Sequence, residues 1–137
     1  MSADPGLAPA VLVVDDHAGI LTVLHRLLIE FVPSYEIVPF SDGESALAHA
    51  AQRAVPLVFT DYHMPIMNGL ELTAALKAAT PELRVVMITA YDTPDLRRRA
   101  RACGVDYFLP KPFSFDALED IVRMVLLPAT VTGPSRS

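Results

Sequence analysis

Three aspartates in this 137-residue chain could hold a cation or attack an electrophile. Asp15 and Asp16 follow the apolar run Ala10–Val14, and Asp61 follows Leu57–Thr60. Thr89 ends the run Val85–Thr89, and Lys111 comes just after Asp106–Leu109. Gathered in one crevice, three carboxylates would repel one another. A hard divalent cation with oxygen ligands would relieve the repulsion, and Mg²⁺ favours a few carboxylates together with waters and phosphate oxygens. One carboxylate could then act as a nucleophile toward phosphorus and form an acyl phosphate. Lys111 offers a mobile point charge for phosphoryl oxygens, and Thr89 offers a hydroxyl donor. The chemistry suggested is phosphoryl transfer to an aspartate, which asks for positioning and charge above all.

For these residues to meet, the runs that carry them must end at one edge. Five stretches read as strands: Ala10–Val14, Tyr35–Phe40, Leu57–Thr60, Val85–Thr89 and Asp106–Leu109. Most are apolar without alternation, as strands covered on both faces are. Tyr35–Phe40 carries Glu36 and Pro39 and is expected at an edge, where a missing donor is tolerated. Twelve prolines punctuate the chain and leave five proline-free stretches for helices.

The spacing predicts a first helix over Ala18–Phe31, with Ile20, Leu24, Leu27 and Phe31 on one stripe and Pro33 as its stop. A second runs over about Gly43 to Arg53, behind Ser41 and Asp42, either of which could cap it. A third starts after Asn68, which with Glu71 has capping-box spacing, and Pro81 lies past its end. The fourth has Thr93 as N-cap, Pro94 at its first position and Gly104 at its close. The fifth follows Ser114, has Asp116 in its first turn, and buries Leu118, Ile121, Val122 and Val125. Strand and helix thus alternate five times. That order means right-handed crossovers and a doubly wound parallel sheet, an α/β fold with helices on both faces. In strand order 2-1-3-4-5 a crevice opens between the first and third strands, at the carboxyl ends where the aspartates stand.

Composition agrees with a packed domain: 52% of residues are hydrophobic and 20% charged. The net charge of -5 argues against a general nucleic-acid binder. One cysteine, Cys103, excludes an intramolecular disulfide framework, and its helical spacing from Leu96 points to a packed thiol. No apolar window is long enough for a transmembrane helix, and Met1–Pro9 has no signal-peptide pattern. A cytoplasmic protein is expected. Residues 1–9 and 128–137 read as a disordered and a flexible tail around a single domain over 10–127.

The motifs VLVVDDH (Val11–His17), VFTDYHMPIMNGLEL (Val58–Leu72), VVMITAYD (Val85–Asp92) and YFLPKPF (Tyr107–Phe113) resemble those of receiver domains of two-component response regulators. No single motif is specific, but four in this order at these strand ends are. The resemblance implies a flavodoxin-like fold and a phosphoprotein that acts in signalling rather than as a dedicated enzyme. It implies Asp61 as phosphoacceptor and Mg²⁺, or Mn²⁺ in its place, as cofactor. Asp16 and Asp61 would ligate the metal directly, Asp15 through water, and His63 through its backbone carbonyl. Lys111 and Thr89 would contact the phosphoryl group. Thr89 and Phe108 would form a switch, and the Lys111–Pro112 peptide would be cis, which would help aim the ammonium into the crevice. His63 and Tyr91 fall at positions that border the phosphoryl group and influence its lifetime. The side chains of His17, His25, His49 and His63 lack metal-ligand spacing and read as non-ligands.

The implied donor is a sensor histidine kinase or a histidine phosphotransfer protein. The output partner is unknown, no membrane or nucleic acid is contacted by this domain, and the phosphorylated form could be a homodimer. Arg97, Arg98, Arg99 and Arg101 crowd the fourth helix. Arg97, Arg98 and Arg101 are candidates for a surface that meets an acidic partner, against the plainer reading of a solvated helix face. An alternative is the excised N-terminal receiver of a larger, DNA-binding regulator. An aspartyl-phosphate phosphatase of the haloacid-dehalogenase type fits less well, since that family wants an acid two residues after its nucleophile and His63 stands there. A flavodoxin-like ligand binder lacks the Ser/Thr/Gly-rich phosphate loop after the first strand.

Overall fold

The three inner strands of the sheet are buried on both faces, and their largely unbroken apolar sequences show why. The computed structural model describes residues 8–127. The tails expected at 1–9 and 128–137 therefore lie outside the described residues, apart from Ala8 and Pro9. The Pro9 carbonyl accepts the Glu36 N–H at 3.0 Å, and the Ala8 carbonyl accepts from the Arg53 guanidinium.

The elements are β1 (Ala10–Val14), α1 (Ala18–Phe31), β2 (Glu36–Phe40), α2 (Gly43–Ala50), β3 (Leu57–Asp61), α3 (Gly69–Ala79), β4 (Arg84–Thr89), α4 (Pro94–Cys103), β5 (Tyr107–Pro110) and α5 (Phe115–Leu126). The five strands pair in parallel in the order β2-β1-β3-β4-β5. Strand side chains alternate between faces. Val11 and Val13 join Leu57, Phe59, Val86 and Ile88 in a core with Leu24 and Leu28 of α1 and Leu118, Ile121 and Val122 of α5. Ala10, Leu12, Val14, Val58 and Val85 pack on the other face with Ala46 of α2 and Leu72 and Leu76 of α3. A third cluster joins Leu70, Met87, Leu96 and Ala100, with Cys103 and Phe108 packed against it. Among the described residues no helix is long and apolar enough to cross a membrane.

Local chemistry sets the helix ends as their sequences require. Asp42 accepts the Ser45 N–H at 2.7 Å, which holds its carboxyl below the usual range. Asn68 and Glu71 form a reciprocal capping box. Thr93 and Ser114 cap α4 and α5, and Gly104 closes α4 at φ 107°. Pro39 and Glu36 are exposed on the edge strand β2.

Four strands shift at an end by one residue from the pattern-based expectation: β2 starts at Glu36, β3 includes Asp61, β4 starts at Arg84 and β5 runs over Tyr107–Pro110. The helices differ in three details. Helix α2 ends at Ala50 rather than Arg53, because the Gln52 N–H turns back to the His49 carbonyl at 3.0 Å. In α1 the buried line is Leu24 and Leu28, while Ile20, Leu27 and Phe31 flank it half-buried. A helix repeat of 3.6 residues lets either diagonal face the sheet, and the sheet's position selects one. Val125 is likewise half-buried against the α1–α5 core.

Asp106, just before β5, ties three elements together. Its carboxylate accepts from Lys77 Nζ of α3 at 2.8 Å, from the Val85 N–H of β4 at 2.9 Å, and from Arg84 Nη1 at 3.4 Å. Asp106→Ala leaves the amide and the half-buried ammonium without that partner. The expected loss is about 2 kcal/mol, read as a lower urea midpoint with an unchanged slope.

Candidate functional site

The register of the sheet brings the polar ends of β1, β3, β4 and β5 to one edge. Val14 lies beside Thr60, so Asp15 and Asp61 follow from neighbouring strands. Asp61 itself pairs with Ile88, one residue before Thr89, and Thr89 pairs with Pro110, one residue before Lys111. Asp15, Asp61 and Thr89 are buried, Lys111 is half-buried, and Asp16 is open to solvent.

Lys111 Nζ donates to Asp15 Oδ2 at 3.1 Å and to Asp61 Oδ1 at 3.4 Å, so one cation bridges the two buried carboxylates. The Lys111–Pro112 peptide behind it is cis. The other Asp15 oxygen accepts the His17 backbone N–H at 2.9 Å and lies 3.1 Å from His17 Nδ1. His17 Nδ1 is also 3.3 Å from Asp16 Oδ1. Burial pushes the Asp61 carboxyl above the ordinary aspartate range, and the Asp15 charge adds to the rise. The Lys111 ammonium and the Tyr62 N–H oppose it. The structure thus holds a carboxylate at higher energy than one in water.

Asp15, Asp16, His17 and Asp61 each offer a ligand atom, and these atoms all lie within 4.8 Å of one another. Carboxylate oxygens dominate the set, which suits a hard divalent cation. The spacing of His17 matches no metal-ligand motif. The turn after β1 nevertheless folds its ring onto the aspartates, where it braces Asp15. The unbroken run Asp15-Asp16-His17 was the available signal.

Thr89 Oγ1 accepts the Tyr91 N–H at 3.0 Å. Two residues past Asp61, the His63 ring lies tilted against Tyr62, with centroids 4.7 Å apart, and edge-on to Tyr91, with centroids 4.6 Å apart. Met64 is buried against the α2–α3 side of the sheet, and Ile66 follows at φ 71°. This anchored turn leads into α3, whose first residue, Gly69, donates its N–H to the Tyr62 carbonyl at 2.9 Å. A Cβ on Gly69 would stand 2.3 Å from the Asp61 carbonyl oxygen. Gly69 therefore supports the Asp61 backbone directly. A glycine at the first position of a helix, where it is a poor former, was the sign of that close approach.

The arginines of α4 are largely engaged within the domain. Arg97 forks onto Asp92, which lowers the Asp92 carboxyl and raises the guanidinium through the shared hydrogen bonds. Arg98 donates to Asp95 at 2.6 Å, and Arg99 lies 3.9 Å from the same carboxylate. Arg101 is exposed and has no ion pair among the described residues.

Residues 11–123 match the family model described as the response regulator receiver domain. The transcriptional regulatory protein PrrA of Mycobacterium leprae is 31% identical over 135 residues, covering 98% of this chain and 57% of that protein. The chain thus spans little more than half the length of this relative. Sporulation initiation phosphotransferase F of Bacillus subtilis is 28% identical over 116 residues, covering 85% of this chain and 92% of that one. The signal receiver domain of an HD domain-containing protein from Pseudomonas fluorescens Pf-5 superposes with a TM-score of 0.81 at 29% identity, covering 88% of this chain and 96% of that one. Sequence and architecture agree over most of its length, and the chain belongs to the family of response regulator receiver domains of two-component signalling.

Proposed function

We propose that residues 10–127 form a receiver unit in which Asp61 accepts a phosphoryl group from the phosphohistidine of a sensor histidine kinase or phosphotransfer protein. The observation that carries this reading is the buried Asp61 carboxylate, raised in energy by burial and Asp15 and held 3.4 Å from the Lys111 ammonium. An Asp61 carboxylate oxygen attacks phosphorus, and the new O–P bond replaces the P–N bond, whose electron pair returns to the donor imidazole. Lys111 follows the new phosphoryl oxygens as a point charge. The Thr89 hydroxyl turns toward the same oxygens and leaves the Tyr91 N–H.

Asp16, Asp61 and the His63 carbonyl would hold Mg²⁺, or Mn²⁺, directly, with Asp15 acting through water and braced by His17 and Lys111. When bound, the ion supplies positive charge to the transferring oxygens and to the crowded carboxylates. A groove lined by Ile20, Val23, Leu27, Phe113 and Phe115 runs up to Lys111. Its continuity with the acceptor suits an amphipathic helix of the donor, with the phosphohistidine over the crevice.

The role is a switch rather than a dedicated enzyme. Transfer to Asp61 shifts Thr89 and Phe108 and alters the face formed by α4, β5 and α5, where Arg101 is exposed and Arg97 and Arg98 could exchange their internal partners for acidic ones. That face engages an output partner, a second phosphorylated copy being one such partner, and loss of the phosphoryl group resets it. This reading implies a cytoplasmic protein. The length of PrrA supports a second form of it, with this unit controlling a further domain.

Acetyl phosphate with Mg²⁺ should add one phosphate to the wild-type mass and none to Asp61→Asn. Asp16→Asn should need more Mg²⁺ for the same yield. An adduct of equal yield in EDTA, or one retained in Asp61→Asn, overturns the assignment.

A further inference from the structure

Arg97 sits unlike the other arginines of α4. Its Nε donates to Asp92 Oδ1 at 2.6 Å and its Nη2 to Asp92 Oδ2 at 3.1 Å. Its guanidinium carbon lies 4.5 Å from the centroid of the Phe108 ring. A planar guanidinium can fork onto a carboxylate along its edge while laying its face on an aromatic ring, and a lysine cannot do both. The fork fixes the plane, and the plane covers the ring.

Asp92 belongs to the segment that joins β4 to α4, residues 90–93. That segment is tied at its start by the Tyr91 N–H to Thr89 Oγ1, at 3.0 Å. At its other end Thr93 caps α4 by accepting the Leu96 N–H at 3.1 Å. The segment is therefore held at a hydroxyl beside the acceptor crevice and at a helix terminus. An unbroken series of contacts runs from Thr89 through Tyr91 and Asp92 to Arg97 and on to Phe108. Phe108 also packs against the cluster of Leu70, Met87, Leu96 and Ala100. The ring is half-buried and touches both that cluster and the guanidinium.

We infer that Asp92 and Arg97 are positioning residues of the switch: together they clamp Phe108 in its half-buried resting place, and release of the Tyr91 N–H by Thr89 opens the clamp. The inference rests on the reading of Asp61 as phosphoacceptor. A Thr89 hydroxyl that turns to phosphoryl oxygens gives up the Tyr91 N–H. The segment carrying Asp92 is then free to shift, and the fork that holds the guanidinium over the ring loses its fixed end. A ligand that favours the released state must first work against the clamp, so the clamp lowers the fraction of competent protein. Removing it raises that fraction before any ligand binds.

The test uses beryllofluoride with Mg²⁺ on the full chain, titrated by ¹⁹F NMR, with the Phe108 ring resonances followed in parallel. Arg97→Ala and Asp92→Ala should each tighten apparent beryllofluoride affinity about three- to tenfold, the size expected of a cation–π contact and its fork. In both variants the Phe108 resonances of ligand-free protein should move toward their beryllofluoride-bound positions. The double variant should gain no more than either single one, because one clamp is broken in each case. Arg97→Lys, which keeps the charge without the fork, should fall between wild type and Arg97→Ala. Asp95→Ala breaks the neighbouring Arg98 pair and should leave affinity unchanged. Affinities of Arg97→Ala and Asp92→Ala equal to wild type, or weaker, overturn the clamp. Wild type that binds no beryllofluoride at all overturns the acceptor reading, and the clamp with it.

Discussion

In EDTA at neutral pH, the Asp61→Asn protein should melt at a higher temperature than the wild type while losing the ability to take a phosphate from acetyl phosphate. Burial and the neighbouring Asp15 raise the folded-state pKa of Asp61 above its unfolded value. A group raised in this way binds its proton more tightly in the folded chain. Its contribution to stability is complete below the ordinary aspartate value, near pH 4, and is lost as pH rises through the elevated folded value. Above that folded value the loss is complete, and asparagine avoids it. Lys111, 3.4 Å away, offsets part of the repulsion, so the gain is the part that Lys111 leaves uncompensated, read as a higher melting temperature of the Asp61→Asn protein. The difference between the two proteins should grow as pH rises from about 4 and then level off. Excess Mg²⁺ should narrow or reverse it, since a cation favours the protein with more carboxylates. Thermal melts across pH, with and without Mg²⁺, give both curves. Equal stability of the two proteins in EDTA at every pH would show that Asp61 carries no such strain.

Gly69→Ala should be among the most damaging single-methyl additions in the molecule. The added Cβ would stand 2.3 Å from the Asp61 carbonyl oxygen and 2.9 Å from Met87 Cε. The methionine terminus can rotate away, but the carbonyl belongs to the central strand β3, which is paired on both sides. Either α3 lifts from the sheet, breaking the 2.9 Å bond from the Gly69 N–H to Tyr62, or the Asp61 backbone moves. Overpacking of this kind costs about 3 kcal/mol. A shift of the acceptor by a fraction of an ångström should slow phosphorylation by acetyl phosphate roughly tenfold or more. Gly19, on α1, makes the contrast. A Cβ there meets nothing within 4 Å, so Gly19→Ala should stabilise by about 0.5–1 kcal/mol through helix propensity. Urea melts of the two variants should differ in sign. A Gly69→Ala protein as stable and as readily phosphorylated as wild type would show that the β3–α3 junction has slack.

Much of this architecture is written in short-range chemistry. Proline positions mark where helices cannot continue, and Asn68, Thr93 and Ser114 cap α3, α4 and α5 because each needs only a backbone N–H three residues on. Unbroken apolar runs mark strands buried on both faces, and the residues that follow those runs fall at one sheet edge by topology alone. Asp15, Asp16, Asp61, Thr89 and Lys111 were therefore legible as a group before any distance was known. What each does to its neighbours was not. Lys111 bridges Asp15 and Asp61 across 96 and 50 residues of chain, a contact fixed by the register of four strands that no local pattern encodes. The ring of His17 turns onto Asp15 because a tight turn after β1 leaves it there, although its spacing resembles no ligand motif. Gly69 looked like one letter of a motif, and only the packing of α3 on β3 shows that its missing side chain makes room for the acceptor's carbonyl. Composition placed four arginines on α4. The sequence by itself determined that charge, but the tertiary structure decided its use, because the loop carrying Asp92 and the strand carrying Phe108 converge on Arg97 only once the sheet has formed.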